Sequence, residues 1–170
     1  MRSVCAQIVS GALNTPQSAR PSTADHTLGD LQRVTNALGH ATTFNQYNAH
    51  GQVLQSTDPN GVVTTNTYDA RQRLLSVSAA GQTTTYGYDA AGQLTSVTLP
   101  DQSIVTYSYD AAHRLTGITD GAGNTVTYTL DNAGNRTAEQ VKDPSGVLAR
   151  NISRAFDALN RLQSVSGAVQ

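Results

Sequence analysis

At 170 residues and 17.9 kDa, the chain has room for one domain or one slice of something larger. Its 34 Leu, Ile, Val and Phe residues are too few for a thick core, yet a net charge of −1 removes the repulsion that keeps apolar-poor chains unfolded. Eleven basic and 12 acidic residues are scattered, with no footprint for nucleic acid or anionic lipid, and no apolar run reaches the length of a membrane-spanning helix.

In chain order, residues 1–27 come first. Val4 to Leu13 is mildly apolar, but Gln7 and Ser10 interrupt it, so a disordered leader is expected rather than a signal peptide. Cys5 is the only cysteine and cannot form an internal disulfide, and no Cys/His cluster has zinc spacing. From residue 28 the composition turns to Thr (22 in the chain), Gly, Ser and Asn, which favours strands and turns over helices.

Residues 28–170 are repetitive. An aromatic residue or Leu followed by Asx recurs at Tyr47-Asn48, Tyr68-Asp69, Tyr88-Asp89, Tyr109-Asp110, Leu130-Asp131 and Phe156-Asp157, at spacings of 21, 20, 21, 21 and 26. A weaker copy starts near Leu28-Gly29. Within one unit, Asp89 to Gly92 predicts a turn, Leu94 to Leu99 a strand, Pro100-Asp101 a break, and Ser103 to Tyr109 a returning strand. The second turn recurs at Asp58-Pro59-Asn60-Gly61, Ala80-Gly81, Asp120 to Gly123 and Asp143 to Gly146. Each repeat is thus a β-hairpin, and about six of them, the last incomplete, predict an all-β antiparallel meander. The long fifth spacing is expected to bulge the turn around Lys142 to Ser145.

Alternation assigns the faces. Val105, Tyr107 and Tyr109 share one, and Ile104, Thr106 and Ser108 the other. Equivalent tyrosines fall two strands apart, about 10 Å. The apolar residues of the intervening strand, Leu74/Val77, Leu94/Val97 and Leu115/Ile118, are expected to fill the gap. The expected result is a single-layer sheet with one apolar and aromatic stripe.

The copies Tyr88-Asp-Ala-Ala-Gly-Gln-Leu-Thr-Ser-Val, Tyr109-Asp-Ala-Ala-His-Arg-Leu-Thr-Gly-Ile and Asp131-Asn-Ala-Gly-Asn-Arg-Thr resemble the YD repeats of Rhs proteins, over roughly residues 28–165. Similar repeats occur in wall-associated bacterial proteins, insecticidal toxin complexes and animal teneurins. The resemblance implies a curved single-sheet segment of a hollow β-shell, completed by further YD repeats. In bacterial members the shell encloses a toxic C-terminal segment, so a toxin or effector cargo and a secreted or cell-surface setting are implied. The chain departs from complete members in having about six repeats and no core-associated segment with its Asp-Pro-x-Gly-Leu-like motif. It is therefore expected to be a piece of a shell.

No catalytic constellation accompanies the repeats. His26, His40, His50 and His113 fall in the leader or at turns, His50 and His113 beside or in the slot where other copies carry Gly, and no nucleophile motif appears. The carboxylates at Asp69, Asp89, Asp110, Asp131 and Asp157 lie two strands apart, too far to share a calcium ion, and turn capping explains them better. No enzyme activity, cofactor or metal is expected. The tyrosines leave one alternative: a row of rings could stack on sugars, making the chain a carbohydrate-binding or adhesion module. Their recurrence at one slot in every unit favours a structural role, since binding sites are usually local.

Overall fold

The computed structural model describes residues 23–27 and 29–169. The leader expected over residues 1–27 lies, for residues 1–22, outside the described residues. The described residues form fourteen strands and no helix. They divide into two compact units, the first ending at Tyr86 and the second starting at Gly87.

The first unit contains β1 (Thr23–Thr27), β2 (Asp30–Thr35), β3 (Ala41–Tyr47), β4 (Val53–Thr57), β5 (Val63–Tyr68), β6 (Leu74–Ala79) and most of β7 (Gln82–Tyr88). Each strand pairs antiparallel with the next. The second unit holds β8 (Leu94–Thr98), β9 (Ile104–Tyr109), β10 (Leu115–Asp120), β11 (Thr125–Leu130), β12 (Arg136–Lys142), β13 (Leu148–Phe156) and β14 (Leu162–Val169), paired in the same way. Each unit is an all-β meander of hairpins, in which a strand bonds only to the strands before and after it.

One loop design serves both turns of nearly every repeat. In the loop after β9, His113 N–H donates to the Asp110 carbonyl at 2.9 Å, and Asp110 N–H donates to the Arg114 carbonyl at 2.9 Å. The pattern recurs from Asn36, Asn48, Asp58, Asp69, Asp89, Leu99, Asp120, Asp131, Asp143 and Asp157. It is a type I turn closed by a residue in the left-handed region. The β6–β7 connection differs, with a two-residue turn at Ala80 (φ 50°) and Gly81 (φ 76°), which fits the strand twist as a type I′ turn. Four of these eleven loops place a non-glycine at the left-handed position, among them Gln72 at φ 65°. A β-carbon is unfavourable there. Gln72→Gly should therefore raise stability by about 0.5–1 kcal/mol, after the unfolded-state entropy of glycine is allowed for. A urea midpoint that falls would contradict this.

Burial follows the expected alternation. Along β9, Val105 is buried and Tyr107 and Tyr109 half-buried, while Ile104, Thr106 and Ser108 are exposed. The buried apolar residues are Val97, Val105 and Ile118, on three successive strands, with Val97 opposite Val105 and Ile118 opposite Tyr107. The core is a patch one sheet deep.

Leu115 and Ile118 are three residues apart, a spacing that in a regular strand places them on opposite faces. A β-bulge reconciles them. Leu115 pairs with Tyr109 and Gly117 with Ser108, so Thr116 is the extra residue and its hydroxyl donates to the Ser108 carbonyl at 3.2 Å. The same register shift follows Tyr47, Tyr68, Leu130 and Phe156.

The long repeat meets its expectation at Lys142 and departs from it in the loop itself: Lys142 pairs with Leu148 and Val141 with Arg150, a register shift that leaves Ala149 extra. The turn at Asp143 is the ordinary loop, with Gly146 N–H donating to Asp143 at 2.9 Å. The additional residues lengthen the strands instead, since β12 has 7 residues and β13 has 9, against 6 each in β10 and β11. Adding ladder pairs keeps the extra backbone groups bonded, which a swollen turn would not.

Candidate functional site

The six junctions identified in the sequence occupy one structural position. Tyr47, Tyr68, Tyr88, Tyr109, Leu130 and Phe156 are the last residues of β3, β5, β7, β9, β11 and β13. Asn48, Asp69, Asp89, Asp110, Asp131 and Asp157 open the loops that follow.

The Asx side chains are filled by donors. Oδ1 of Asp110 accepts from the backbone N–H of Ala112 and of Arg114, both at 2.9 Å. Its Oδ2 takes Arg114 Nε and Nη2, each at 2.7 Å. Asp69 with Arg73 repeats this arrangement, and Asp157 with Arg161 repeats its essentials. In other copies an amide replaces the guanidinium: Asn48 with Gln52, and Asp131 with Asn135. The side chain four residues on donates in the Asp copies, whereas Gln52 Oε1 accepts from Asn48 Nδ2, and this polar partner at a fixed offset is a signal the repeat alignment held and the turn-capping reading passed over.

These bonds hold the carboxyls of Asp69, Asp110 and Asp157 below the ordinary carboxylate range, chiefly through the backbone N–H of the residue four on, and that of Asp131 chiefly through the Asn135 side chain. A folded value below the unfolded one gives stability that is complete above the unfolded value and lost as pH falls through the folded one. The denaturant midpoint should thus be level above about pH 5 and fall below the ordinary value of 3.8. A midpoint unchanged down to pH 2 would contradict the capping role.

The tyrosine hydroxyls have partners that the sequence did not disclose. Tyr109 donates to the Leu94 carbonyl at 2.8 Å and Tyr68 to the Val53 carbonyl at 3.0 Å, while Tyr47 donates to the Leu31 carbonyl. Each bond ties the end of a hairpin's second strand to its first. Burial, and secondarily the Asp89 or Asp30 carboxylate, pushes the Tyr109 and Tyr47 phenols upward, so they remain protonated donors. Tyr109→Phe keeps the ring and removes the bond, and should cost about 1 kcal/mol in urea unfolding. No change would show that the hydroxyl is already fully solvated in the native state.

Successive loops are also stitched together within each unit. Gln52 Nε2 donates to the Gln72 carbonyl at 2.8 Å, and Gln93 Nε2 to the His113 carbonyl at 3.1 Å. Arg114 Nη1 reaches the Asp131 carbonyl at 2.8 Å, and Asn135 Nδ2 reaches Asn160 Oδ1 at 2.9 Å. The repeats are therefore coupled at their tips as well as through strand ladders.

His113 Nδ1 lies 2.8 Å from Gln93 Oε1, an exposed loop contact with no nucleophile. Among the described residues no three metal-ligating side chains converge. A hollow of about 100 Å³ beside Asp101, Val105 and Asp120 is well below the roughly 300 Å³ at which small-molecule sites begin. What remains is the tyrosine-bearing face: apolar, aromatic, and repeated along each unit.

The family model described as RHS repeat matches the chain in five overlapping stretches, residues 26–65, 47–84, 68–104, 88–125 and 109–148. The search of curated proteins gave no match. Among solved structures, the crystal structure of TcdB2-TccC3-TEV is similar with a TM-score of 0.70 and 19% identity, over 83% of this chain and 8% of that one. That of TcdB2-TccC3-Cdc42 gives 0.65 and 23%, over 74% and 7%. The Photorhabdus luminescens Tc holotoxin pore gives 0.53 and 18%, over 85% and 12%. These likenesses are of fold, and the chain spans only about a tenth of each neighbour's length.

Proposed function

The chain belongs to the RHS repeat family, and from that premise we propose that it is a non-catalytic wall segment of a shell enclosing a toxin or effector polypeptide in a longer, secreted or surface-delivered protein. The observation that carries this reading is the single-layer hairpin sheet with a recurring apolar and aromatic face, on which five RHS repeats register. The structural neighbours are components of toxin complexes, one of them a holotoxin pore. A hydrogen-bonded sheet excludes proteases and partners by leaving no gap between strands, and an apolar face suits an unfolded chain held against it.

Limited proteolysis of the longer protein, carrying its repeats and the segment that follows them, tests the reading. The enclosed segment should resist digestion, and Val105→Asp should open it to the protease. Equal digestion with and without intact repeats would sink the proposal. In the carbohydrate-binding alternative, the same rings would grip a glycan. Glycan pull-down lost on Tyr107→Ala, with circular dichroism unchanged, would favour that alternative.

A further inference from the structure

The tyrosine-bearing face gains a cluster of arginines at one place. In successive copies, the two slots at the start of a repeat's first strand read Val53/Ser56, Leu74/Val77, Leu94/Val97 and Leu115/Ile118, and the last copy reads Leu162/Val165. In β12 the same slots hold Arg136 and Glu139. The slot two residues before the junction, Asn45, Asn66, Tyr86, Tyr107 or Tyr128 in other copies and uncharged in all of them, holds Arg154 in β13. The lengthened strands add Arg150, opposite Val141.

Pairing puts all four on one face. Glu139 lies opposite Tyr128 on β11 and Ile152 on β13, Arg136 lies opposite Leu130, and Arg150 and Arg154 flank Ile152. The Arg136 guanidinium stacks 3.7 Å from the centre of the Tyr128 ring. Glu139 is buried, and its carboxylate meets Arg136 at 3.4 Å, Arg150 at 3.5 Å and Arg154 at 3.6 Å.

The cluster is unbalanced. Asp69, Asp110 and Asp157 each pair with a single arginine at 2.6–2.7 Å. Here one carboxylate faces three guanidinium groups at distances longer than a charge-assisted bond prefers, leaving a local charge of +2. Nη1 of Arg154 is buried and has no hydrogen-bond partner among the described residues. The Arg136 and Arg150 side chains are 43% and 46% exposed, so their donors can be reached.

We propose that Arg136, Arg150 and Arg154 form a receptor for a carboxylate side chain of a polypeptide laid along the tyrosine-bearing face. The inference rests on the enclosing role proposed above and deepens it, by giving the enclosed chain one anchoring chemistry. Guanidinium forks match a carboxylate in two-point geometry. The surroundings (Tyr128, Val141, Ile152) are apolar, and the other arginine pairs are balanced. An amphipathic peptide with an acidic residue fits such an isolated point, whereas a nucleic acid needs a track of positive charge.

The test uses fluorescence anisotropy on the full chain with two labelled ten-residue peptides, one alternating Leu and Glu, the other Leu and Gln. The Glu peptide should bind about tenfold more tightly. Arg150→Gln, on a half-exposed side chain, should bring it to the level of the Gln peptide. Glu139→Gln, which removes the competing carboxylate, should tighten it several-fold, with circular dichroism confirming the fold. Equal binding of the two peptides, or an Arg150→Gln variant that binds as well as the parent, overturns the carboxylate receptor while leaving the enclosing role intact. If neither peptide binds, both fall. A ten-residue oligothymidylate that outcompetes the Glu peptide would overturn the choice of ligand.

Discussion

Val105→Ala lowers the stability of the chain by about 2–3 kcal/mol, while Ile104→Ala, one residue away, changes it by less than about 0.5 kcal/mol. Val105 is 1% exposed, flanked in register by Val97 on β8 and Asp120 on β10. Ile104 points to the other face and is 44% exposed. The removed methyl groups lose their transfer free energy, at about 0.8 kcal/mol each, and leave a cavity that a hydrogen-bonded sheet cannot close. In a thick core such a loss is one among many. Here the buried apolar set among the described residues is three side chains, so the loss is a large share of the few kcal/mol that separate folded from unfolded. Urea unfolding of the two variants, compared at equal slope, checks the contrast. Similar losses at both positions would mean that both faces are covered, which a single-layer sheet does not allow.

Asp120→Ala costs about 2 kcal/mol, and Asp120→Asn recovers roughly half of it. Asp120 is 8% exposed, the most buried of the loop-opening residues. Its Oδ1 accepts from Ala122 N–H at 3.1 Å and Asn124 N–H at 2.8 Å, and its Oδ2 from Asn124 Nδ2 at 2.8 Å. Alanine leaves these three donors without their acceptor beside the Val105 patch, whereas asparagine keeps a carbonyl oxygen for the backbone. Amide hydrogen exchange at Asn124 should accelerate in the alanine variant and much less in the asparagine one. Unchanged exchange in both would place the turn's stability in its backbone bonds alone.

Much of this architecture was legible because it repeats. Six junctions of Tyr, Leu or Phe with Asx, most of them about 21 residues apart, fix where strands end, and strict alternation in Val105, Tyr107 and Tyr109 fixes which face they take. The expected strands Leu94 to Leu99 and Ser103 to Tyr109 end within a residue of β8 and β9. Features that need two parts of the chain at once were harder to read. The Leu115/Ile118 spacing conflicts with a two-residue period until a bulge is placed at Thr116, and bulges have no local signature here. The reach of the Tyr109 hydroxyl to Leu94 depends on strand register. Five extra residues between Leu130 and Phe156 looked like a loop insertion, because loops accept insertions most readily. In β12 and β13 the lengthened ladder takes them up, together with a register shift beside Lys142. Arg136, Glu139 and Arg154 were visible as departures from the repeat, but only pairing gathers them around one carboxylate.

The enclosing role makes a direct claim about the two faces of the sheet. Thr127 is exposed on one face, and Tyr128 is half-buried on the other. Single cysteines at these positions in the longer protein, treated with maleimide with and without the segment to be enclosed, measure which face it covers. Thr127→Cys should react at one rate in both forms, and Tyr128→Cys should react slowly until the segment is removed and then quickly. Labelling at Tyr128→Cys that ignores the segment, or protection that appears at Thr127→Cys instead, contradicts the account.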